Sequence, residues 1–400
     1  MNVLFLTLVW PENGDRHFFN DLMDEFRDAG HCVFVVGARE RRIGKPTEYM
    51  VEDGINVLRV RCGNIQKTGN IEKGISSVLL GYQMSRAIDK YWNDIRFDLI
   101  LYCTPPVTLA STVEKLKGKL GAKTYLMLKD IWPQGAVDLG MIKKDGLIWK
   151  FFRRKEERLY EVSDYIGCMS PANVQYVLEH NPNIPKEKVE ECPNSIRPKT
   201  LSSRSFNEAV NDKYKIPEGA VKFIFGGNIG KPQGVGFIAD VVEELKQRKD
   251  VFFIVAGSGT EYPKLEQAIE EKKCNNILLL NRLPKVKYDE LCASCDVGLI
   301  LLDKRFTIPN FPSRVLSYLE LGMPIICATD SVCDMGDILE EWGCGFKVLH
   351  GDIKNFASAV KKLADDEGLR KEMAVNARKL LLERYTAKHS YEIIMSHFKR

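Results

Sequence analysis

The sequence predicts an α/β protein built as two tandem, doubly wound Rossmann-like domains. Three observations predict it. Short apolar runs recur along the chain, amphipathic helical stretches separate them, and the whole pattern begins again past the midpoint. Parallel strands covered on both faces read as continuous apolar runs, and strands that alternate with helices imply βαβ units. A chain of 400 residues also exceeds one typical core and fits two to three domains.

In the first half the expected strands are Val3–Leu8, Val33–Val36, Leu99–Cys103, Thr124–Leu128 and Tyr165–Met169, with Ile55–Val60 a more polar one. Phe18, Leu22 and Phe26 share one helical face, and a second helix is expected from Val107 through Leu120. The second half offers Lys222–Phe225, Val251–Ala256, Ile277–Leu280, Val297–Leu302 and Pro324–Cys327 as strands. Ile238, Val241, Val242 and Leu245 mark a helix between the first two. Proline, serine and lost periodicity from Cys192 to Arg204 mark a linker, which divides 1–197 from 198–386. After Leu369 the chain reads as helical to its end, with a weak break at Tyr385.

Composition narrows the class. Hydrophobic content of 44%, charged content of 28% and a net charge of +4 describe a globular protein without a general polyanion-binding signature, so no nucleic-acid partner is expected. The apolar start, Met1 to Trp10, lacks a basic flank and runs into Pro11-Glu-Asn-Gly-Asp15, which suits a buried strand better than a signal peptide. No uncharged run approaches the ~18 residues that span a bilayer. Eleven scattered cysteines, many inside apolar runs, fit reduced thiols of a cytoplasmic protein. Cys292 and Cys295 have CxxC spacing without a second pair, so two buried helix thiols are expected rather than a metal site.

The segment from Phe223 to Phe237 carries the strongest chemical signal. An apolar run, a bend containing Gly226, Gly227, Asn228 and Gly230, and a helix start follow without a gap. That order presents backbone N–H groups and a helix N-terminus to an anion, and Lys231 adds a cation. A tight strand–helix turn without ligand, and a solvated lysine, are the competing explanations.

Five motifs form an ordered set: Asp130-Ile-Trp-Pro-Gln134, Met169-Ser-Pro-Ala172, Pro193-Asn-Ser195, Gly227-Asn-Ile-Gly-Lys-Pro-Gln-Gly234, and the run from Pro312 to Pro324. Together they cover nearly the whole chain and resemble the family 4 glycosyltransferases of GT-B architecture. The resemblance is closest to the branch that adds N-acetylated amino sugars during O-antigen and capsule synthesis. It implies two Rossmann-like domains with an interdomain cleft, a nucleotide-sugar donor held by the C-terminal domain, and an acceptor held by the N-terminal one. It also implies transfer with retention of configuration, and a last helix, 387–400, that crosses back to the N-terminal domain.

The resemblance assigns roles to residues, each with a plainer alternative. Gly257 follows the second strand of the later domain and lets backbone approach the donor. The loop after the third strand is implied to meet the nucleobase through backbone groups, with Arg282 available to phosphate, against the alternative of a surface arginine. Ser313 and Arg314 open a helix whose amides and guanidinium suit a phosphate; an N-cap serine with a surface arginine fits equally. Two glutamates usual in the family fall on Pro309 and Ser317, so Ser317 is left to offer a weaker hydrogen bond to ribose. Arg and Lys in many members are replaced by Asn228 and Gln233.

In the first domain, Asn13 and Gly14 occupy the place of paired glycines, and His17 and Glu12 are candidates for contact with acceptor or phosphate. A capping histidine at a helix start is the alternative for His17. Asp130, after an apolar strand, is the leading candidate for the acceptor hydroxyl; its alternative is a loop cap. No Asp-x-Asp occurs in the sequence, so no metal or cofactor is expected beyond a UDP-sugar co-substrate. Trp149 to Arg158 mixes aromatics with five cations and two glutamates, which suits either peripheral contact with an anionic membrane or a solvated helix.

The expected activity is therefore a metal-independent, retaining transfer from UDP of an N-acetylhexosamine, or its deoxy form, to a lipid-linked saccharide at the inner face of a bacterial membrane. A non-hydrolysing UDP-sugar 2-epimerase shares the two-domain plan, and a catalytically silent nucleotide-sugar binder is the alternative outside enzymes. A dehydrogenase fits poorly, because no Gly-x-Gly-x-x-Gly follows the opening strand.

Overall fold

The structure, a computed structural model, describes residues 1–12, 17–66, 68–199 and 213–398. The chain forms two compact units: Met1–Arg197 together with Ala387–Arg400, and Pro198–Thr386.

Eight strands form the sheet of the N-terminal unit. They are β1 (Asn2–Thr7), β2 (Cys32–Glu40), β3 (Glu48–Glu52), β4 (Ile55–Cys62), β5 (Leu99–Cys103), β6 (Lys123–Leu128), β7 (Tyr165–Cys168) and β8 (Val189–Glu191). Their order is β3-β4-β2-β1-β5-β6-β7-β8. Every pairing is parallel except β3 with β4, a hairpin on the sheet's edge. Val3 faces Val33 on one side and Leu99 on the other, so the most apolar runs lie at the centre. Strand order reverses between β1 and β5, which makes their carboxyl ends a crevice where ligands of such sheets bind.

The helix Phe18–Asp28 buries Phe19, Leu22, Met23 and Phe26 against that sheet. Side chains of this size each contribute ~1.5–3 kcal/mol when removed from water. The helix Ala387–Ser396 completes the same core through Ile394 and Met395. Tyr391 meets Phe26 edge-to-face at 4.9 Å, and its hydroxyl lies 3.1 Å from His31 Nε2. The Ala387 N–H donates to Ile196 O at 2.8 Å. Beyond it, His397 stacks on Tyr165 at 3.8 Å. The last helix thus belongs to the core of the first unit.

The C-terminal unit holds six strands: β9 (Val221–Asn228), β10 (Val251–Ser258), β11 (Ile277–Leu280), β12 (Val297–Leu301), β13 (Ile325–Thr329) and β14 (Gly345–Leu349). Their order, β11-β10-β9-β12-β13-β14, is parallel throughout. Here the reversal falls between β9 and β12. The helix Gly236–Glu244 turns Phe237, Ile238, Val241 and Val242 inward, the face its sequence spacing predicts.

Five elements differ from the sequence expectation. β3, β8 and β14 mix charged with apolar residues because two are edge strands of the first sheet and one of the second, where a face meets water. The helix Asn70–Tyr91 was not anticipated, since apolar residues occupy its exposed as well as its buried face. The expected helix from Val107 begins as a tight turn, Val107–Leu109, and continues as Ala110–Leu120. The linker segment 200–204 lies outside the described residues.

Candidate functional site

At the carboxyl end of β9 the chain places an unpaired guanidinium. Arg314 opens the short helix Arg314–Glu320. Its Nη1 donates to Gly226 O at 2.8 Å, and the guanidinium carbon stands 4.3 Å from the centre of the Phe225 ring. Tyr318, one turn on, donates its hydroxyl to Ile224 O at 3.1 Å. Among the described residues no carboxylate pairs with Arg314. Burial pulls its guanidinium down from the usual arginine range, a change the nearby Tyr318 and Tyr288 oppose. A half-buried cation without a counter-ion favours an incoming anion, because such a partner restores what desolvation removed.

The neighbouring glycines divide by task. A Cβ on Gly226 would lie 1.9 Å from the Tyr288 hydroxyl, so this glycine makes room for protein. Gly257 behaves alike: its Cβ would lie 1.9 Å from Gly227 O. Close packing against the adjacent strand is what requires this glycine. Gly227 differs, with φ of +118° and nothing nearer its missing Cβ than the Arg314 guanidinium at 3.8 Å. That conformation requires glycine and leaves backbone open beside the cation.

The two amides that replace expected cations bond to one another. Asn228 Nδ2 donates to Gln233 Oε1 at 2.9 Å, and Gly230 N–H reaches the same oxygen at 3.3 Å. They shape the bend and add no positive charge. Lys231 is exposed in the turn Lys231–Gln233 and borders an open cavity of about 390 Å³ with Gly236, Glu261, Asp303, Arg305 and His350. The charges of that cavity are largely spent on each other: Asp303 pairs with Arg305 at 2.8 Å and Glu261 with Lys264 at 3.0 Å.

Ser313 has helical backbone angles and makes no capping bond, so the N-cap alternative does not describe it. Its hydroxyl and that of Ser317, four residues on, are exposed on one face of the helix. Glu320 accepts the Lys199 N–H at 2.9 Å and does not stand in for a missing glutamate, while Pro309 is buried. Arg282 is exposed after β11 with no ion pair among the described residues. Tyr288 and Tyr318, which form the floor under Arg314, were not singled out in the sequence. A tyrosine facing a glycine on a distant strand has no local signature.

The N-terminal unit presents a different chemistry at its own crevice. Asp130 follows β6, and Thr104, after β5, clamps its backbone. The Thr104 hydroxyl accepts the N–H groups of Lys129 and Asp130 at 3.0 and 3.2 Å and donates to Asp130 O at 3.1 Å. Desolvation raises the Asp130 carboxyl to about 6, an elevation that solvent contact at this exposed residue tempers. Lys129 points the other way, its Nζ 3.5 Å from Cys192 O, and burial lowers its ammonium. A cavity of about 10 Å³ beside it, lined by Phe18, Phe19 and Pro193, is large enough for water alone.

His17 is the N-cap of the helix Phe18–Asp28: its Nδ1 accepts the Phe19 N–H at 3.5 Å, and its own N–H donates to Asn20 Oδ1 at 2.9 Å. Burial lowers the imidazole to about 4, so at neutral pH it is uncharged and Nε2 is left as a donor. Glu12 is committed elsewhere. Burial pulls its carboxyl up, but bonds from Lys45 and Arg39, each 2.9 Å, outweigh that and hold it below the ordinary value. A carboxylate so paired is a poor base, which corrects its expected catalytic place. Asn13 and Gly14 lie outside the described residues. Cys292 and Cys295 are buried as expected, and among the described residues no group of three His, Cys, Asp or Glu could hold a metal ion.

Residues 206–380 match the family model described as glycosyl transferases group 1. "Probable glycosyltransferase WbjE" of Pseudomonas aeruginosa is 25% identical over 276 residues, 68% of this chain and 67% of that protein. The alpha-D-kanosaminyltransferase of Streptomyces kanamyceticus is 24% identical over 196 residues, 46% of this chain and 49% of that one. Among solved structures, Anabaena HepE in complex with UDP superposes with a TM-score of 0.71 at 15% identity, covering 100% of this chain and 99% of that chain. Two sheet units of this plan and these likenesses give the chain the GT-B fold, and its residues 206–380 are similar to the glycosyl transferases group 1.

Proposed function

We propose that this enzyme transfers an N-acetylhexosamine, or its deoxy form, from UDP to a lipid-linked saccharide during surface polysaccharide synthesis, with retention and without a metal. The observation that carries the donor half is Arg314, a cation with no counter-ion beside the open backbone of Gly227. The β-phosphate would sit there, with Ser313 and the amides of its turn beside it. Ser317 would face the ribose, and Arg282 would reach the phosphate from the loop whose backbone meets the base. Support for UDP comes from the UDP-bound structural neighbour. Support for an amino sugar comes from the sequence resemblance and from the name of the kanosaminyltransferase.

Transfer forms a bond between the acceptor hydroxyl oxygen and the anomeric carbon, while the bond to the diphosphate oxygen breaks. The departing electron pair settles on phosphate, where Arg314 would stabilise it as charge develops. The hydroxyl proton would pass to Asp130 or to the leaving phosphate; an Asp carboxyl raised to about 6 is ionised at neutral pH and basic enough to accept it. Uncharged His17 would donate from Nε2 to an acceptor oxygen.

Titration calorimetry with UDP, GDP and ADP tests the donor half. UDP should bind best, and Arg314→Ala should weaken it by roughly 10- to 100-fold, the loss of one charge-assisted pair. Unchanged UDP affinity in that variant would refute the site. Retention is read from the anomeric coupling of the product by NMR.

A further inference from the structure

We propose that the outer edge of β11 pairs with the same edge of a second copy of this chain, joining two C-terminal units into one continuous sheet. A sheet edge presents unpaired backbone N–H and C=O groups, and proteins blunt the edges they keep single with charge, shortness or cover. Among the described residues the two sheets have four edges, and three are blunted. β3 begins and ends on glutamate, Glu48 and Glu52, which pair with Arg39 and Arg59. β8 has three residues, two of them glutamates, and Glu190 binds His397 beyond the last helix at 2.8 Å. β14 carries Lys347 at its centre, paired with Asp337 at 2.6 Å. β11, Ile277-Leu278-Leu279-Leu280, carries no charge, and each of its residues is partly exposed. Among the described residues it pairs with β10 alone.

The backbone fixes which groups face outward. Phe253 of β10 stands opposite Ile277, and its N–H donates to Asn276 O at 2.9 Å. In a parallel ladder such a residue bonds to the two neighbours of its opposite number. Asn276 and Leu278 therefore bond to β10, while Ile277 and Leu279 turn their N–H and C=O groups outward. An antiparallel partner must meet those outward groups. Centred on Leu278, a two-fold pairing lets Ile277 of each copy exchange both bonds with Leu279 of the other. Leu278 then meets its own copy in the close, non-hydrogen-bonded position, and Asn275 faces Asn281, where side-chain amides can pair. Ile277 and Leu279 already pack on the core of the unit, which this pairing extends.

Charge complementarity makes a second copy the occupant. At the amino end of β11 the helix Tyr262–Glu271 finishes on Glu270 and Glu271, both exposed and without an ion pair among the described residues. Lys273 offsets one of them; Lys272 and Lys246 are balanced by Asp240 and Glu243. At the carboxyl end Arg282 has no ion pair among the described residues, while Lys285 and Lys287 are neutralised by Asp289 at 2.8 Å and Glu290 at 3.1 Å. The first end is net acidic and the second net basic, and a two-fold axis at Leu278 sets each against the other twice. Val286, 68% exposed in the first turn of the helix Lys285–Ala293, adds apolar surface at the same end. A foreign strand would need this pattern reversed, and the chain's own edge supplies it.

The test is sedimentation of the full chain, without nucleotide, from about 1 to 100 µM, the range in which a modest interface dissociates. A monomer–dimer equilibrium should appear. Leu278→Lys sets two ammonium groups against each other on the axis and should raise the dissociation constant at least about 100-fold. Leu278→Asp should do the same. An equimolar mixture of the two variants should recover the dimer, because unlike charges then meet, a rescue that a folding defect does not give. In the wild type, amide hydrogen exchange at Ile277 and Leu279 should slow as concentration rises, while the Leu278 amide, bonded to β10, stays protected throughout. A chain still monomeric at about 100 µM overturns the proposal. So does a dimer that Leu278→Lys leaves intact, or one that the mixture of folded variants does not restore. Should neither variant fold, the wild type decides alone: exchange at Ile277 and Leu279 that ignores concentration overturns the pairing. No readout involves UDP, so this pairing and the donor site fail separately.

Discussion

The two crevices of this enzyme share a strand plan and oppose each other in charge management. In the C-terminal unit the reversal between β9 and β12 carries Arg314, whose guanidinium bonds only to a backbone oxygen and a ring face. In the N-terminal unit the reversal between β1 and β5 lies near Glu12, whose carboxylate is locked between Arg39 and Lys45, and near Asp130, which has no cation lowering it. One crevice lacks an anion; the other holds an acid raised toward neutrality. The contrast teaches that which charges are left unpaired separates the proposed donor site from the proposed acceptor site, where topology alone does not.

The largest effect should come from Asp130. Asp130→Asn should lower kcat by about 10²–10⁴-fold, the usual range for a lost base. In the wild type, kcat/KM should fall as pH drops through the raised Asp130 value, which solvent contact holds at or below about 6, because protonation removes the acceptor of the hydroxyl proton. The variant should lack that acid limb. If Asp130→Asn keeps full turnover and the limb persists, the leaving phosphate takes the proton and the contrast between crevices loses its catalytic half.

The glycines beside Arg314 sharpen the comparison further. Gly226→Ala should destabilise the fold by about 1–3 kcal/mol, since its Cβ would meet the Tyr288 hydroxyl and nothing flexible yields there. Tyr288→Ala should relieve most of that cost in a double-mutant cycle. Gly227→Ala should also strain the fold at its positive φ, but it should in addition weaken UDP binding by the folded protein, a loss that Gly226→Ala should not share. Equal behaviour of the two would erase the division of labour.

Much of the fold was legible because its central strands are apolar runs without interruption, as in Val3 to Leu6 or Phe223 to Phe225. Edge strands such as Val189–Glu191 were hidden because three residues with two glutamates carry no period. The helix Asn70–Tyr91 was hidden for the opposite reason: its exposed Ile75 and Tyr82 blur the boundary between faces. Within the candidate site, motif and position singled out Arg314 and Asp130. Thr104 and Tyr288 were not, since their roles arise from strands and helices distant in sequence. Glu12 looked available because nothing in the sequence shows that Arg39 and Lys45 return to it.

Glu12→Gln therefore tests structure more than chemistry. Arg39 is buried and keeps Glu48 at 3.0 Å and Pro46 O at 2.8 Å, so the loss should be about 1 kcal/mol. The folded carboxyl lies below its unfolded value of 4.5, so its contribution is present above that pH and is lost as pH falls through the lower, folded one. Urea unfolding at pH 7 and pH 3 should show the difference between wild type and Glu12→Gln shrinking in acid. Turnover at pH 7 should change less than about threefold. A hundredfold loss of kcat with an unchanged midpoint would return Glu12 to the reacting centre.

Lys231 should give the smallest effect. It is exposed, its turn is held by Gln233 and Gly230 backbone bonds, and water screens it. Exposed charges of this kind contribute ~0.2–1 kcal/mol, so Lys231→Ala should weaken UDP by only about two- to fivefold. The effect should shrink further between 50 and 500 mM salt, while the Arg314→Ala effect, at a half-buried site, should change less. A salt-insensitive loss above about 30-fold would mean that Lys231 is drawn out of solvent when the diphosphate binds. The unpaired charge of the C-terminal crevice would then be shared between two cations rather than concentrated in Arg314.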